Sequence, residues 1–469
     1  MTWRAVTGAA AAAFAVGLSA LAVLKHLAFN TGRFDLGNMT QAVWATANGS
    51  VLEVTNLRGE QMSRLGAHFD PILAAFAPLW WLWPDPSLLL VAQVVAVALG
   101  AAPVFLLARR HLDSERAAAA FALAYLLYPA TQWMSLSEFH PVALATPLLL
   151  AAWWWLDGDR LVPAALAAGA ACLTKEHVGL AVAMLGLWYW LGRGRRNAGL
   201  LLAGGGAAVS AIAIGVVVPH FSPRGGSAFT GRYREVGGGP LDVLVTSVTD
   251  PLRVLGAAFD GRALPYLLEL VLPLLALPLL APLALLPALP ELAANLLSST
   301  RTQQSIHFHY TATVIPALTV AAIHGARRLR DRVPLPALAT AIAVAALAAN
   351  YVGGPLPVWR ALPGAETLAA RAYEVSEHDR VAARAVRLVP DDAVVSATNS
   401  LGAHLSERRR ILSFPVLAGA EWVAVDETQP GYLDRIAPLP VARRVRELRA
   451  DRAWRIVFDE DGIVLFRRR

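Results

Sequence analysis

The sequence predicts an α-helical polytopic membrane protein with about eleven transmembrane helices and a small C-terminal α/β domain. Its composition is the first indication, because 56% of the 469 residues are hydrophobic and only 16% are charged, whereas soluble domains are about 25% charged. The second is patterning, since apolar runs long enough to cross a bilayer recur throughout residues 1–354. The third is a change of composition near residue 355.

The apolar runs define the predicted membrane segments in order. These are 5–28, 86–108, 115–134, 141–156, 160–174, 177–192, 197–218, two within 264–297, 310–326 and 334–352. The run 264–297 is too long for one crossing and contains several prolines, so we divide it near Pro278–Pro282. Residues 71–83 are apolar but too short to cross, and their tryptophans are typical of an interfacial helix.

Arginine clusters predict the orientation of the chain. Arg109 and Arg110, the cluster at 193–196 and the cluster at 327–332 fall on one side, which the positive-inside rule makes cytoplasmic. We therefore expect a multi-pass membrane protein with a cytoplasmic N-terminus. The outer loops are then 29–85, 135–140, 175–177, 219–262 and 298–309.

The C-terminal part, 355–469, is expected outside the membrane. Its β-rich runs at 393–397, 422–425, 455–458 and 463–466 follow a charged segment with helical spacing at 365–389, which predicts a small α/β domain. The net charge of +7 comes from arginines between apolar runs, so nucleic acid is not an expected partner. The one cysteine, Cys172, excludes an intramolecular disulfide and a cysteine-based metal site.

The first outer loop contains the acid on which the functional interpretation depends. Asp35 begins a helix-like stretch, where it could simply cap a helix. Alternatively, its carboxylate could deprotonate an acceptor hydroxyl or hold a divalent cation against a phosphate. His68 and Asp70, followed by Pro71, have a spacing that is compatible with metal binding or with loop hydrogen bonds before a helix.

Two further groups of ionisable residues lie at the predicted outer boundary. Glu138 and His140 follow the third segment, and Lys175, Glu176 and His177 interrupt an apolar hairpin. Ionisable groups are costly there unless they face water or a cavity, although snorkelling and mutual pairing remain an alternative. Lys175 could bind phosphate as a compact charge with three donors.

Two longer outer loops add cations and histidines. One carries Arg301, His307 and His309, which are either structural or part of the site. The other combines glycines with a basic cluster that could grip a phosphate or form a solvated loop. That cluster consists of Arg224, Arg232, Tyr233 and Arg234.

These motifs together resemble a bacterial multispanning membrane family of unknown function that is related to the GT-C glycosyltransferases. The motifs that carry the resemblance are Phe34-Asp35-Leu36-Gly37, Gly66…His68-Phe69…Pro71, Tyr128-Pro129, Phe139-His140-Pro141, Leu173-Thr174-Lys175-Glu176, Tyr233…Gly237, His309-Tyr310…Pro316 and Ser396-Ala397-Thr398-Asn399…Phe414-Pro415. The resemblance implies a location in the bacterial plasma membrane, a GT-C-like fold, a lipid-phosphate-linked sugar donor and Asp35 as the catalytic acid of the first outer loop. Many GT-C enzymes have an acidic pair there, whereas Asp35 has Phe34 and Leu36 as neighbours.

The leading hypothesis is therefore a glycosyltransferase that uses a polyprenyl-phosphate-linked sugar at the outer face of the membrane. The acceptor would be an envelope glycan, a lipid or a protein. The expected catalytic residues are Asp35 and His68. The expected substrate-binding residues are Lys175, Glu176, His140, Arg232, Arg301, His307 and His309. A divalent cation, magnesium or manganese, would have Asp35, Asp70 and Glu138 as ligands.

Two other hypotheses fit part of the pattern. A transporter or flippase of a lipid-linked anion would explain the proline-rich run 264–297, because broken helices are common in transporters. The polar groups cluster at one face of the membrane, however, instead of at the midplane. A non-catalytic membrane scaffold would leave Lys175, Glu176 and His177 without a role.

Overall fold

The computed structural model describes residues 2–223, 225, 230–363, 370–436 and 439–469. Within these residues, four helices are long and apolar enough to cross a membrane: Trp3–Leu27, Ser87–Leu112, Arg196–Phe221 and Leu335–Gly353. The remaining helices of the apolar part are Asn38–Ala47, Ala77–Trp80, Glu115–Leu127, Pro129–Leu136, Ala145–Asp157, Leu161–Cys172, Val178–Arg193, Pro240–Thr249, Pro251–Ala258, Ala263–Val271, Leu289–Leu296 and Val314–Leu329. The predicted count of eleven spans is thus not confirmed.

Prolines account for much of the difference between predicted spans and observed helices. The predicted span 115–134 is divided between two helices because Tyr128 is extended and Pro129 begins the second helix. The run 264–297 is interrupted at Leu275 and Ala276, which have left-handed backbones with φ of 54° and 53°. The interruption therefore lies just before the predicted one, in a region where prolines remove backbone donors.

Small residues allow the helices of the apolar part to pack closely. Helix Val178–Arg193 packs against helix Arg196–Ile212, and Gly179 and Gly206 lie where an added Cβ would meet backbone of the partner helix. Gly325 similarly brings Val314–Leu329 against the backbone of Leu277. Small side chains at such positions permit the close helix–helix contact that is typical of membrane proteins.

The first polar loop has structure of its own. Residues Arg33–Gly37 form one π-helical turn, in which the Gly37 N–H donates to the Gly32 carbonyl over 3.0 Å. Helix Asn38–Ala47 follows directly. Strands β1 (Glu53–Thr55) and β2 (Gln61–Ser63) then form an antiparallel hairpin. We call Arg33–Gly37 the Asp35 segment below.

The C-terminal part contains a five-stranded mixed sheet. Its strands are β3 (Val395–Ala397), β4 (Ile411–Ser413), β5 (Trp422–Asp426), β6 (Trp454–Glu460) and β7 (Ile463–Arg468), in the order β4-β3-β5-β7-β6. β3 is parallel to β4 and β5, whereas β7 is antiparallel to β5 and β6. Further helices are Glu377–Val386, Asn399–Ala403, Tyr432–Arg435 and Val441–Ala450.

The two longer of these helices cover opposite faces of the sheet. Val381 and Ala385 belong to one buried cluster, and Val445 and Leu448 belong to another. The predicted small sheet domain is therefore confirmed, although the short strand β4 was not predicted. Of the predicted helical segment 365–389, residues 364–369 lie outside the described residues, and the observed helix is Glu377–Val386.

The C-terminal domain packs onto the beginning of the first polar loop. The His404 ring stacks on the His26 ring at 4.0 Å and on the Phe29 ring at 3.9 Å between centroids. His26 lies in the last turn of helix Trp3–Leu27 and Phe29 lies between that helix and the Asp35 segment. This contact holds the C-terminal domain next to the segment that contains Asp35.

Candidate functional site

A cavity of about 1000 Å³ lies where the first polar loop meets four later loops. Seven of the predicted site residues line it: Asp35, His68, Asp70, His140, Lys175, Arg232 and His309. They come from five separate parts of the chain, as the predicted convergence of the polar loops requires. Arg234, from the same loop as Arg232, also lines the cavity, whereas Arg224 lies outside the described residues.

Asp35 and two histidines form the centre of this cavity. The His140 Nε2 atom lies 3.3 Å from Asp35 Oδ1, and the His140 and His309 rings stack with centroids 3.7 Å apart. The Asp35 side chain is 39% exposed and faces the cavity. It does not cap helix Asn38–Ala47, whose N-cap position is Gly37 and which has no side-chain cap, so the capping alternative is wrong.

The surroundings of Asp35 favour its ionised form. Burial raises the pKa of Asp35, but the hydrogen bond and charge of His140, with Arg64 and Lys175, lower it further, and the net shift is downward. Burial and the nearby cations lower the pKa of His309 well below its ordinary value, so His309 is neutral at pH 7. The centre therefore presents a carboxylate beside a stacked pair of imidazoles.

Two sets of hydrogen bonds fix the Asp35 segment from opposite sides. On one side, Glu138 Oε2 accepts the backbone N–H groups of Gly32 and Leu36, each over 3.0 Å. On the other side, the Phe34 N–H donates to Asn399 Oδ1 of the C-terminal domain over 3.1 Å. Asp35 therefore sits on backbone that both the apolar part and the C-terminal domain position.

Arg33 strengthens the attachment to the C-terminal domain. Its side chain is almost fully buried and donates to Ser413 Oγ over 2.6 Å and to the Ile411 carbonyl over 2.8 Å. Gln41, one turn beyond the Asp35 segment, donates to the carbonyls of Arg408 and Arg409. These contacts join the segment to strand β4, the strand that was absent from the sequence prediction.

Glu138 has a positioning role in this geometry. It does not line the cavity, its backbone is left-handed with φ of 73°, and its carboxylate points at the amides of the Asp35 segment. Burial, and secondarily the charge of Asp35, raise the pKa of Glu138 to about 7. A group that holds its neighbour's backbone in this way has limited freedom to coordinate a metal.

His68 and Asp70 are each held by a partner. Glu176 Oε1 lies 3.0 Å from His68 Nδ1, and Glu176 Oε2 accepts the Phe69 N–H, so Glu176 orients the ring from outside the cavity lining. Arg64 donates to Asp70 Oδ2 over 2.8 and 3.0 Å, and both side chains are buried. Burial raises the pKa of Glu176, but His68 and Lys175 lower it further, so the net shift is downward.

These contacts determine whether the site can hold the expected divalent cation. Among the described residues, no group of three or more His, Cys, Asp and Glu side chains is arranged to hold a metal ion. Asp70 is paired with Arg64, and Glu138 is bonded to backbone amides. Asp35, Asp70 and Glu138 are therefore not arranged as a set of metal ligands. A requirement for a divalent cation stays a prediction.

A cationic wall faces the Asp35 centre. The Lys175 Nζ atom lies 5.8 Å from the centroid of the Tyr310 ring, and the Arg232 guanidinium carbon lies 6.0 Å from the same centroid. A tyrosine face attracts cations, so one ring positions both groups. Arg234 also belongs to the lining, and the three cations make this wall suited to a phosphate.

The other predicted site residues lie elsewhere. Arg301 is exposed and is not part of the cavity lining. The His307 ring contacts Trp133 edge-on at 4.5 Å and its Nδ1 atom lies 3.0 Å from Ser305 Oγ, and His307 is not part of the cavity lining. The sequence prediction also missed Arg64, Tyr310 and Asn399 as parts of the site, because no local spacing connects them to their partners.

Comparisons with known proteins agree with this fold. The profile of a family described as predicted membrane protein (DUF2079) matches residues 25–465. No curated protein matches the sequence. The crystal structure of ArnT from Cupriavidus metallidurans in the apo state matches with a TM-score of 0.56 and 15% identity, over 98% of each chain. At this identity the likeness shows a shared fold, which agrees with the GT-C-like fold expected from the sequence.

Proposed function

Because the chain belongs to the DUF2079 family of predicted membrane proteins and shares the fold of ArnT, we propose that it is a membrane glycosyltransferase. Its donor would be a sugar linked to polyprenyl phosphate. The single observation that carries this proposal is a cavity in which an ionised carboxylate, Asp35, faces a wall of cations. General-base and phosphate-binding groups are thereby present in one space.

The proposed topology has eleven crossings, with residues 1–354 in and around the membrane and 355–469 outside it. The positions of the arginines support this orientation. Arg110 and Arg193 contact Asp157, and Arg327 contacts His111, so the basic clusters gather at the ends of their helices remote from the cavity. The positive-inside rule makes that end cytoplasmic and the cavity extracytoplasmic.

The geometry suits a single-displacement transfer. The acceptor hydroxyl gives its proton to the Asp35 carboxylate as its oxygen bonds to the anomeric carbon of the sugar. The bond from that carbon to the phosphate oxygen breaks, and the polyprenyl phosphate leaves with the electron pair. Lys175 and Arg232 stabilise the charge that develops on the phosphate, which preorganised cations do effectively in a site with little water.

The histidines act on Asp35 and on the substrate. His140 Nε2 lies 3.3 Å from Asp35 Oδ1, and its proposed role is to donate to the carboxylate and keep it directed at the cavity. His309 supports the ring of His140 by stacking. His68, oriented by Glu176, is placed to hydrogen-bond the sugar or the acceptor. The other carboxylates in or beside the lining have partners. Asp70 accepts from Arg64, and Glu138 and Glu176 accept from backbone N–H groups. Glu60 accepts from Asn56 and Asp242 accepts from the Gly239 N–H, so we assign the proton transfer to Asp35.

Release of sugar from radiolabelled polyprenyl-phosphate sugars by the purified protein tests this function. We expect turnover by the wild type with at least one donor and loss of turnover in Asp35→Asn. Asp159→Asn is the control, because that carboxylate lies at the arginine-rich end and pairs with Arg195. Turnover that survives Asp35→Asn would refute the assigned acid. Absence of turnover with every donor and acceptor, by folded protein, would refute the enzyme and favour a flippase of a lipid-linked anion.

A further inference from the structure

A second polar cavity, of about 410 Å³, lies at the other end of the helices. Helix Val178–Arg193 begins beside Lys175 at the candidate site and ends at this cavity, so roughly 24 Å of helix separates the two. Helix Val314–Leu329 makes the same connection, from His309 to Arg327 and Arg328. The cavity is therefore distinct from the candidate active site.

The lining of this second cavity has an excess of positive charge. It includes four arginines, Arg193, Arg327, Arg328 and Arg330, against two carboxylates, Asp157 and Asp331. Asp157 is already shared between Arg110 at 2.9 Å and His111 at 3.1 Å. Within the described part of the chain, no carboxylate lies within 4.0 Å of Arg327 or Arg328. The lining thus lacks the acids that would neutralise it.

Capping of helix ends explains only part of this arginine cluster. Arg193 donates to the Asp157 carbonyl and Arg328 donates to the Leu280 carbonyl, as cations at helix C-termini commonly do. Each guanidinium has five N–H donors, however, and the Arg327 guanidinium contacts a neighbouring histidine, His111. The other N–H groups of Arg327 and Arg328 therefore remain available for an anion.

Apolar surface adjoins this cationic cavity. Leu283 belongs to the lining and is 43% exposed, and its neighbours Leu279 and Leu280 are exposed as well. These leucines lie in the broken part of the apolar run, where the carbonyl of Leu280 accepts from Arg328. A cation-lined pocket with exposed leucines beside it matches the two parts of a phospholipid, the phosphate and the acyl chains.

We propose that this cavity binds the phosphate headgroup of an anionic phospholipid, with its acyl chains lying along Leu279, Leu280 and Leu283. Arg327 and Arg328 donate to the phosphate oxygens, because arginine matches phosphate geometry with paired N–H groups. Basic pockets between membrane helices are known lipid headgroup sites. This inference does not depend on the proposed transferase activity, since the two cavities share no lining residue.

Native mass spectrometry of the full chain in detergent tests the proposal by counting retained lipids. We expect one phosphatidylglycerol to be retained under conditions that strip phosphatidylcholine, whose headgroup carries no net charge. The double variant Arg327→Gln/Arg328→Gln should weaken retention about tenfold or more, given the usual strength of hydrogen bonds to charged groups. Arg196→Gln/Arg332→Gln removes the same charge from positions outside the lining and should retain the lipid.

A second variant keeps every charge and guards against misfolding of the first. Leu283→Trp should fill the mouth of the cavity and also reduce retention of phosphatidylglycerol. Equal losses in the two arginine pairs would show diffuse surface charge and overturn the proposal, as would equal retention of both lipids. Binding of inorganic phosphate by the wild type, with no retained phosphatidylglycerol, would assign the site to a soluble phosphate and overturn the lipid.

Discussion

Two aspartate–histidine pairs in this molecule have similar distances and different surroundings. His140 Nε2 lies 3.3 Å from Asp35 Oδ1, and His378 Nε2 lies 3.1 Å from Asp426 Oδ2. The first pair opens on a cavity of about 1000 Å³. The second lies at the end of strand β5, inside the C-terminal domain, and its aspartate side chain is only 6% exposed.

The partners of each carboxylate explain what each pair can do. Asp426 Oδ1 accepts the N–H groups of Thr428 and Gln429 and the Thr428 hydroxyl, and His378 also bonds Asp461 over 2.9 Å. Asp35 has lone pairs left that face the cavity. The same residue types are thus structural where every acceptor is used and available for chemistry where an acceptor faces open space.

Replacing the aspartate of each pair by asparagine should give the largest difference between the two pairs. Asp35→Asn removes the base, so we expect turnover to fall about 10²- to 10⁴-fold with little change in melting temperature. Asp426→Asn should lower the melting temperature and leave turnover nearly unchanged, because the bonds of Asp426 join the end of strand β5 to a turn and to helix Glu377–Val386. Turnover and thermal unfolding of both variants are the measurements. A stability loss without a rate loss in Asp35→Asn would remove the distinction between the pairs.

Two cationic side chains that the sequence analysis assigned to substrate binding can test where the site ends. Lys175 lines the cavity, whereas Arg301 is exposed outside it. Lys175→Gln should lower kcat/KM about 10- to 100-fold, the usual cost of a lost hydrogen bond to a charged group. Arg301→Gln should change kcat/KM less than about twofold, as expected for a surface position. An equal loss in both variants would extend the site beyond the cavity lining.

The attachment of the Asp35 segment to the C-terminal domain predicts a smaller effect. Asn399→Ala removes the acceptor of the Phe34 N–H, and one hydrogen bond is worth about 1 kcal/mol. We expect kcat to fall about fivefold with KM unchanged, together with faster amide exchange in the Asp35 segment. Exchange can be measured whether or not the protein proves to be a transferase. Asn48→Ala, at the end of helix Asn38–Ala47, is the control, and unchanged exchange in Asn399→Ala would contradict the attachment.

The sequence predicted which ionisable residues meet but not how they are partnered. Asp35, His140, Lys175 and His309 were predictable because charged groups beside apolar segments need water or a cavity. The bond between Phe34 and Asn399 joins positions 365 residues apart, which no local pattern encodes. His307 was assigned to the site, yet its backbone directs the ring towards Trp133. The predicted count of eleven crossings is not confirmed, because prolines and left-handed residues divide the apolar runs into shorter helices.

The smallest predicted effect concerns the pH dependence of stability at the pair of His378 and Asp426. Burial lowers the pKa of His378, but hydrogen bonds from the ring to Asp426 and Asp461 raise it more, and the net shift is upward. A raised pKa in the folded state stabilises the fold fully below about pH 6.5, the ordinary value, and this stability is lost as the pH rises through the folded pKa.

His378→Gln should therefore destabilise the protein more at pH 5.5 than at pH 8.5, and the difference in unfolding free energy should be less than about 1 kcal/mol. The melting temperature at the two pH values is the measurement. Turnover at either pH should stay close to that of the wild type, because His378 touches neither the cavity nor the Asp35 segment. A variant with lower turnover and an unchanged melting temperature would place this second pair in the reaction. The pair of His378 and Asp426 would then have a chemical role although its carboxylate is buried and fully hydrogen-bonded. The number of hydrogen bonds to the carboxylate would no longer distinguish structural pairs from reactive ones.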